Sequence, residues 1–139
     1  NAWESRWPLN TYVDKDKSKL SPGMVERLHE AEAMSVDDYR RDILRREEIR
    51  TAYASLAHKV ESCITLSAPD VAPVGLASTG NPIFAVQGSL LGVPTVSLPL
   101  ISLHGLPLGF QMLGFLDEDA ALFAHAAAVE PAIGTLEIA

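Results

Sequence analysis

From Thr79 to Gly114 the chain reads TGNPIFAVQGSLLGVPTVSLPLISLHGLPLGFQMLG, without one Asp, Glu, Lys or Arg. A stretch of that length stays uncharged in a folded chain only when something covers it. Pro82, Gly88, Gly92, Pro94, Pro99, Gly105 and Pro107 interrupt it too often for a spanning helix, which needs about 20 mostly apolar residues in a row. The same residues cut it into short strands and tight turns. The segment is therefore expected in the core of an α/β protein and not in a membrane.

Charge is divided unevenly. All 11 Lys and Arg lie at or before Lys59. After it come Glu61, Asp70, Asp117, Glu118, Asp119, Glu130 and Glu137 with no base, so the net charge of −7 sits in the second part. A phosphate backbone is bound by clustered Lys or Arg, which excludes nucleic acid from the second part. An anionic membrane surface is disfavoured on the same ground. Cys63 is the only cysteine, so no intramolecular disulfide forms. No basic-then-apolar start marks a secretory signal, and the expected compartment is cytoplasmic.

Residues 1–20 are polar, with the mixed run Asp14-Lys15-Asp16-Lys17, and read as an irregular solvated segment with Trp3 and Trp7 as anchors. Residues 21–139 read as the folded α/β part. Ser21-Pro22 is a helix start, with Ser as cap and Pro at the first position. Ser35 with Asp38 approximates a capping box for a long helix to about residue 61. Tyr39, Ile43, Ile49, Tyr53, Leu56 and Val60 lie at helical spacing on it, and its Arg and Glu residues form a solvated face. Cys63–Ser67 reads as a short strand and Phe84–Leu91 as a short helix capped by Gly92. Val93–Ile101 and Leu108–Leu113 read as paired antiparallel strands, with a bulge or an end at Pro99. Asp117 is the expected N-cap of a final Ala-rich helix ended by Pro131 and Gly134.

Motifs that carry chemistry are missing. There is no G-x-S-x-G elbow, and Gln87-Gly88-Ser89-Leu90-Leu91-Gly92 has the wrong spacing. No dinucleotide or P-loop glycine pattern occurs. His29, His58, His104 and His125 are scattered, and none forms metal-ligand spacing with Cys63. No catalytic residue, metal site or cofactor is expected within the chain.

The order of the pieces nevertheless resembles the C-terminal portion of the amidase-signature hydrolases. CITLSAPDVAP corresponds to the family's strand and Pro loop, Thr79-Gly80-Asn81-Pro82-Ile83-Phe84 to its Thr-Gly-x-Pro-x-Phe element, and Leu91-Gly92-Val93-Pro94 to its turn into a strand. Gly105-Leu106-Pro107-Leu108-Gly109-Phe110-Gln111 matches the next strand, and Asp117–Glu130 the acidic-started Ala/Leu helix. The chain departs at Glu61, Leu66 and Ala85, where the family usually has Asp, Pro and Asn. It also lacks the Gly/Ser-rich Ser/Ser/Lys region that carries catalysis in that family.

The resemblance implies a mixed sheet with flanking helices, the C-terminal part of the amidase-signature fold. It implies a role in completing that sheet and walling the pocket of an enzyme acting on amide C–N bonds of small molecules. Thr79, Gly80, Asn81 and Phe84 are the implied substrate-binding residues. A non-catalytic binding or assembly module of the same fold is one alternative, and part of a glutamyl-tRNA amidotransferase subunit is another. A homo-oligomer is expected from the apolar surface such a segment exposes.

Overall fold

A computed structural model describes residues 2–138. They fall into two compact units that divide at Glu47/Glu48.

The first unit holds α1 (Ala2–Asp16), α2 (Pro22–Ala33) and the first part of α3 (Val36–Ala54). Residues 2–16 are thus helical and not irregular. Their own sequence explains little of this, because Pro8 lies inside the helix and no apolar stripe runs along it. The support is tertiary. The Arg6 guanidinium donates to the carbonyls of Ala31 (2.7 Å), Glu32 (3.2 Å) and Met34 (3.0 Å). Those are end-of-helix acceptors of α2, which have no partner within the helix. Arg6 also lies 4.0 Å from the Trp3 ring centre, a cation–π contact. Trp3 in turn stacks on Tyr39 at 5.7 Å, which gives it the anchoring part expected of it. Leu9, Leu28 and Ala31 are the buried apolar residues of this unit.

The two helix starts are as read. Ser21 Oγ accepts from Met24 N at 3.3 Å. Ser35 N donates to Asp38 Oδ2 and Asp38 N to Ser35 Oγ, both at 3.1 Å, which is a reciprocal capping box. Along α3, Arg40 pairs with Asp37, Arg41 with Asp38 and Arg46 with Glu47, so the charged side is a solvated, ion-paired face.

The second unit is built on a four-stranded sheet in the order β1-β3-β2-β4, from β1 (Cys63–Leu66), β2 (Thr95–Leu103), β3 (Leu106–Leu113) and β4 (Leu136–Ile138). β1 and β2 run antiparallel to β3, and β4 runs parallel to β2. β2 and β3 form the expected hairpin. The register shifts between Leu98 and Ile101, so Pro99 sits at a β-bulge, where its missing N–H does no harm. His104 and Gly105 make the turn with φ of 53° and 75°. Both central residues at positive φ is the type I′ geometry whose twist suits a hairpin.

The alternation of β2 and β3 assigns the two faces of the sheet. Val96, Leu98, Phe110 and Met112 pack under α5 (Asp119–Ile133) against Leu122, Ala126 and Val129. The other face carries Thr65, Thr95, Ser97, Gly109 and Gln111. Ser67 and Ser97 meet across Gly109 at 2.5 Å, and a methyl at Gly109 would collide with both hydroxyls.

α4 (Ala85–Leu91) ends at Gly92 with φ of 73°, the left-handed C-cap expected there. Arg50 Nε donates to Leu90 O at 2.9 Å at the same helix end. The final helix begins differently from expectation. Asp117 is not its N-cap: it takes φ of 61° in the preceding turn, and Glu118 stands at the cap with no side-chain bond. A short side chain such as Asp tolerates this left-handed backbone. The helix runs through Pro131 and ends at Gly134.

Candidate functional site

The loop from Ser67 to Phe84 joins β1 to α4 and holds the residues singled out by sequence. Its first limb, which carries Pro69 and Pro73, is a run of bends from Ser67 to Val71. Local side-chain bonds shape the rest. Asp70 Oδ1 accepts from Val71 N at 2.7 Å, and Ser78 Oγ accepts from Gly80 N at 3.1 Å. Asn81 Oδ1 accepts from Ile83 N at 3.0 Å, an Asx turn that leads the chain into α4. Gly80 has φ of 89°, a backbone that a side chain would strain.

Between the two limbs lies an open cavity of about 470 Å³, walled on one side by residues 68–74 and on the other by Thr79, Gly80 and Asn81. Thr79, Gly80 and Asn81, consecutive in the chain, are among its lining residues. Phe84 does not line this cavity. It stands at the start of α4, half-buried, and its carbonyl accepts from Gln111 Nε2 at 3.2 Å. Gln111 is the buried polar residue of the sheet, and this bond ties the start of α4 to β3.

Two residues of this region escaped the sequence reading. Asp70 supplies the one carboxylate among the lining residues, and it is the only acid between Glu61 and Asp117, which was a usable signal. Gln111 was legible as a lone amide in an uncharged strand. The walls are otherwise alanine, proline and valine. Hydrogen-bonding side chains line the cavity only at Asp70, Thr79 and Asn81.

It does not suit bond-breaking by itself. A serine or threonine hydroxyl needs an adjacent base to become a nucleophile, and the cavity lining contains no His or Lys. The Ser67–Ser97 pair is one hydroxyl on another. Among the described residues no group of His, Cys, Asp and Glu could hold a metal ion, and no helix is long and apolar enough to cross a membrane. A second recess of about 290 Å³ is lined by His58, Lys59, Glu61, Phe115, Glu118 and His125 among others. There the His125 Nδ1 is buried without a hydrogen-bond partner.

Tyr53 fixes the end of α3 to the sheet of the second unit. Its hydroxyl donates to the carbonyls of Leu113 (3.2 Å) and Gly114 (3.0 Å), and its ring lies 5.3 Å from Phe115. Burial, reinforced by the Cys63 thiol beside it, raises the Tyr53 hydroxyl pKa far above its ordinary value. It stays protonated, and so remains a hydrogen-bond donor, over the whole physiological range.

No protein-family model matches the chain. Among curated proteins, a subunit of the glutamyl-tRNA(Gln) amidotransferase of Methylorubrum extorquens is 29% identical over 109 residues, covering 68% of this chain and 22% of that protein. Among solved structures, an amidase superposes with a TM-score of 0.82 at 26% identity over 96% of this chain. A bacterial aryl acylamidase of the amidase signature family superposes with a TM-score of 0.74 at 15% identity over 94%. The chain spans 33% and 31% of those two structures. The motif order, the mixed sheet and these likenesses agree: the chain is similar in sequence to an amidase and shares the fold of part of the amidase-signature proteins.

Proposed function

We propose that this chain completes the sheet and walls the substrate pocket of an enzyme that cleaves amide C–N bonds in small molecules. The observation that carries this is the superposition on an amidase over 96% of the chain at 26% identity. The loop cavity supports the same reading. Thr79 and Asn81 offer hydrogen-bonding groups to an amide, Gly80 keeps the backbone open, and Phe84 positions the loop by holding the start of α4 against Gln111. The bond-breaking groups come from outside these residues, so the chain by itself turns over no amide.

Surface area supports incorporation into something larger. The chain exposes 9578 Å². A self-contained protein of 15.0 kDa exposes roughly 7,000 Å², and two separate domains of these unit sizes roughly 8,400 Å². The cytoplasm is the compartment this reading assigns. Copies of the chain are proposed to join at the outer edge of β1, which pairs with no strand among the described residues.

The test is a chimera in which this chain replaces the matching third of the amidase it resembles. Hydrolysis of a simple anilide by the folded chimera, lost with Gly80→Val, is the expected result. A monodisperse, fully folded chimera with no turnover overturns the proposal.

The identity to an amidotransferase subunit favours a second reading, in which the chain is part of such a protein. Any tRNA contact then lies outside residues 60–139, because no Lys or Arg follows Lys59. A chimera with that amidotransferase, assayed for amide transfer to the charged tRNA, separates the two.

A further inference from the structure

Helix α5 is apolar on both of its faces. Leu122, Ala126 and Val129 pack on the sheet. The opposite face presents Ala120, Phe123, Ala124, Ala127, Ala128 and Pro131, all exposed, with Phe123 at 64%. No Asp, Glu, Lys or Arg occurs from Ala120 to Val129. A helix on a solvated surface carries charge on its outer side, and one that is apolar all round is a covered helix.

The ends of this face carry charge of a single sign. Asp117, Glu118 and Asp119 stand exposed at the N-terminal end, where the helix dipole favours them. Glu130 stands exposed at the other end, where the dipole is negative and a cation is favoured. The last turn holds no base, and the sequence offers none after Lys59. The surface is thus an apolar strip about 20 Å long, negative at both ends, with one acid on the wrong side of its own helix dipole.

We propose that the outer face of α5 is a docking surface for a helix of a different polypeptide, one with an apolar stripe flanked by Lys or Arg at both ends. Such a helix meets Asp117–Asp119 with one basic end and Glu130 with the other. The alanines let its backbone approach closely, and Phe123 is the large anchor. A second copy of this chain does not fit. Pairing α5 with α5 in antiparallel fashion sets Glu130 against Asp117–Asp119 twice, and like charges in register are what an interface avoids. The arginine-bearing α3 of a second copy does not fit either, because its apolar side chains Tyr39, Ile43, Ile49 and Tyr53 are already half-covered. One helix on one helix buries less than the roughly 1,200 Å² of a stable complex, so the contact belongs to the micromolar, salt-sensitive class.

The experiment uses the whole chain and two synthetic 18-residue helical peptides. They share one Ala/Leu stripe and differ only in carrying Lys or Glu on the flanks. Binding is read by fluorescence anisotropy at low and at high salt. The Lys-flanked peptide is expected to bind at least tenfold more tightly than the Glu-flanked one, with the difference reduced by salt. Glu130→Lys should lower its affinity by about tenfold, and Phe123→Ala by several-fold. Both positions are exposed, and circular dichroism confirms that each variant folds. Equal affinity for the two peptides, or no binding of either, overturns the proposal. So does loss of self-association on Phe123→Asp, which makes a second copy the occupant. Protection of Phe123 from oxidative labelling in the folded amidase chimera also overturns it, because the rest of that fold is then the cover.

Discussion

At the scale of single residues the second unit is governed by a few backbone positions. His104 occupies a left-handed site at φ of 53° beside Gly105, and Asn-Gly is the pair that this hairpin turn favours. His104→Asn is expected to raise stability by about 0.5 kcal/mol, read as a small rise in the thermal midpoint; no rise, or a fall, contradicts the turn assignment. Gly109 is constrained by contact and not by φ. Ser67 and Ser97 fill the space where its side chain would go. Gly109→Ala forces β1 and β2 apart and should cost about 1–3 kcal/mol, as overpacking does. A neutral result in a urea titration would show that the serines swing away freely.

Acid titration singles out another residue. The Ser35 hydroxyl, the Arg41 guanidinium and the Ser35 amide hold the Asp38 carboxyl at about 2, below its ordinary value of 3.8. A depressed folded-state pKa gives stability that is complete above the ordinary value and is lost as pH falls toward the folded one. The start of α3 should therefore loosen between about pH 4 and pH 2 and not at pH 5–7. Hydrogen exchange at the amides of residues 35–38 measures this. Asp38→Asn should show raised exchange already at neutral pH and no further step in that window.

At the scale of elements, the first unit depends on Arg6. It closes the C-terminal end of α2 and stacks on Trp3, so α1 and α2 share one fastener. Arg6→Ala is expected to cost about 2 kcal/mol, in the range of hydrogen bonds made by charged groups. Arg6→Lys should recover less than half of that, since an ammonium lacks the planar fork that reaches three carbonyls. Full recovery by Lys in a thermal melt would mean that charge alone mattered.

The same residue explains what sequence did and did not disclose. Local signals were legible: Ser21 and Ser35 as caps, Gly92 as a stop, Pro99 as a bulge, and the β2–β3 hairpin. Each of these is decided within a few residues of chain. Helix α1 was not legible, because the groups that hold it are Ala31, Met34 and Tyr39, all more than twenty residues away. β4 was missed for a related reason. Three residues carry too little pattern, and their partner is the parallel strand β2. Asp117 misled because the residue that best fits a cap by composition also fits a left-handed turn. In the candidate site, Thr79, Gly80 and Asn81 were legible as a turn-forming element, while the part played by Phe84 depends on a bond from Gln111 in another strand.

At the scale of the whole molecule, the expected behaviour follows from what is left uncovered. β1 is an edge strand with Ile64 58% exposed, and Val74 and Leu76 in the following loop are fully exposed. Unpaired strand edges and apolar side chains of this kind join chains together. The opposing term is the net charge of −7, but at physiological salt charges more than about 8 Å apart are largely screened. Burial at about 25 cal/mol per Å² gives several kcal/mol for a contact of a few hundred Å², enough to exceed that repulsion. Light scattering across a dilution series should show dimers or larger species at high micromolar concentration. Ile64→Lys should shift the chain toward monomer, since a charged residue on an edge strand blocks strand addition. The direction is informative, because this substitution lowers the net negative charge and so weakens the repulsion between copies. A fall in association then has to come from the edge itself. Monomer at every concentration in the unmodified chain would show that its own residues already cover β1, and unchanged association in Ile64→Lys would move the contact away from the sheet.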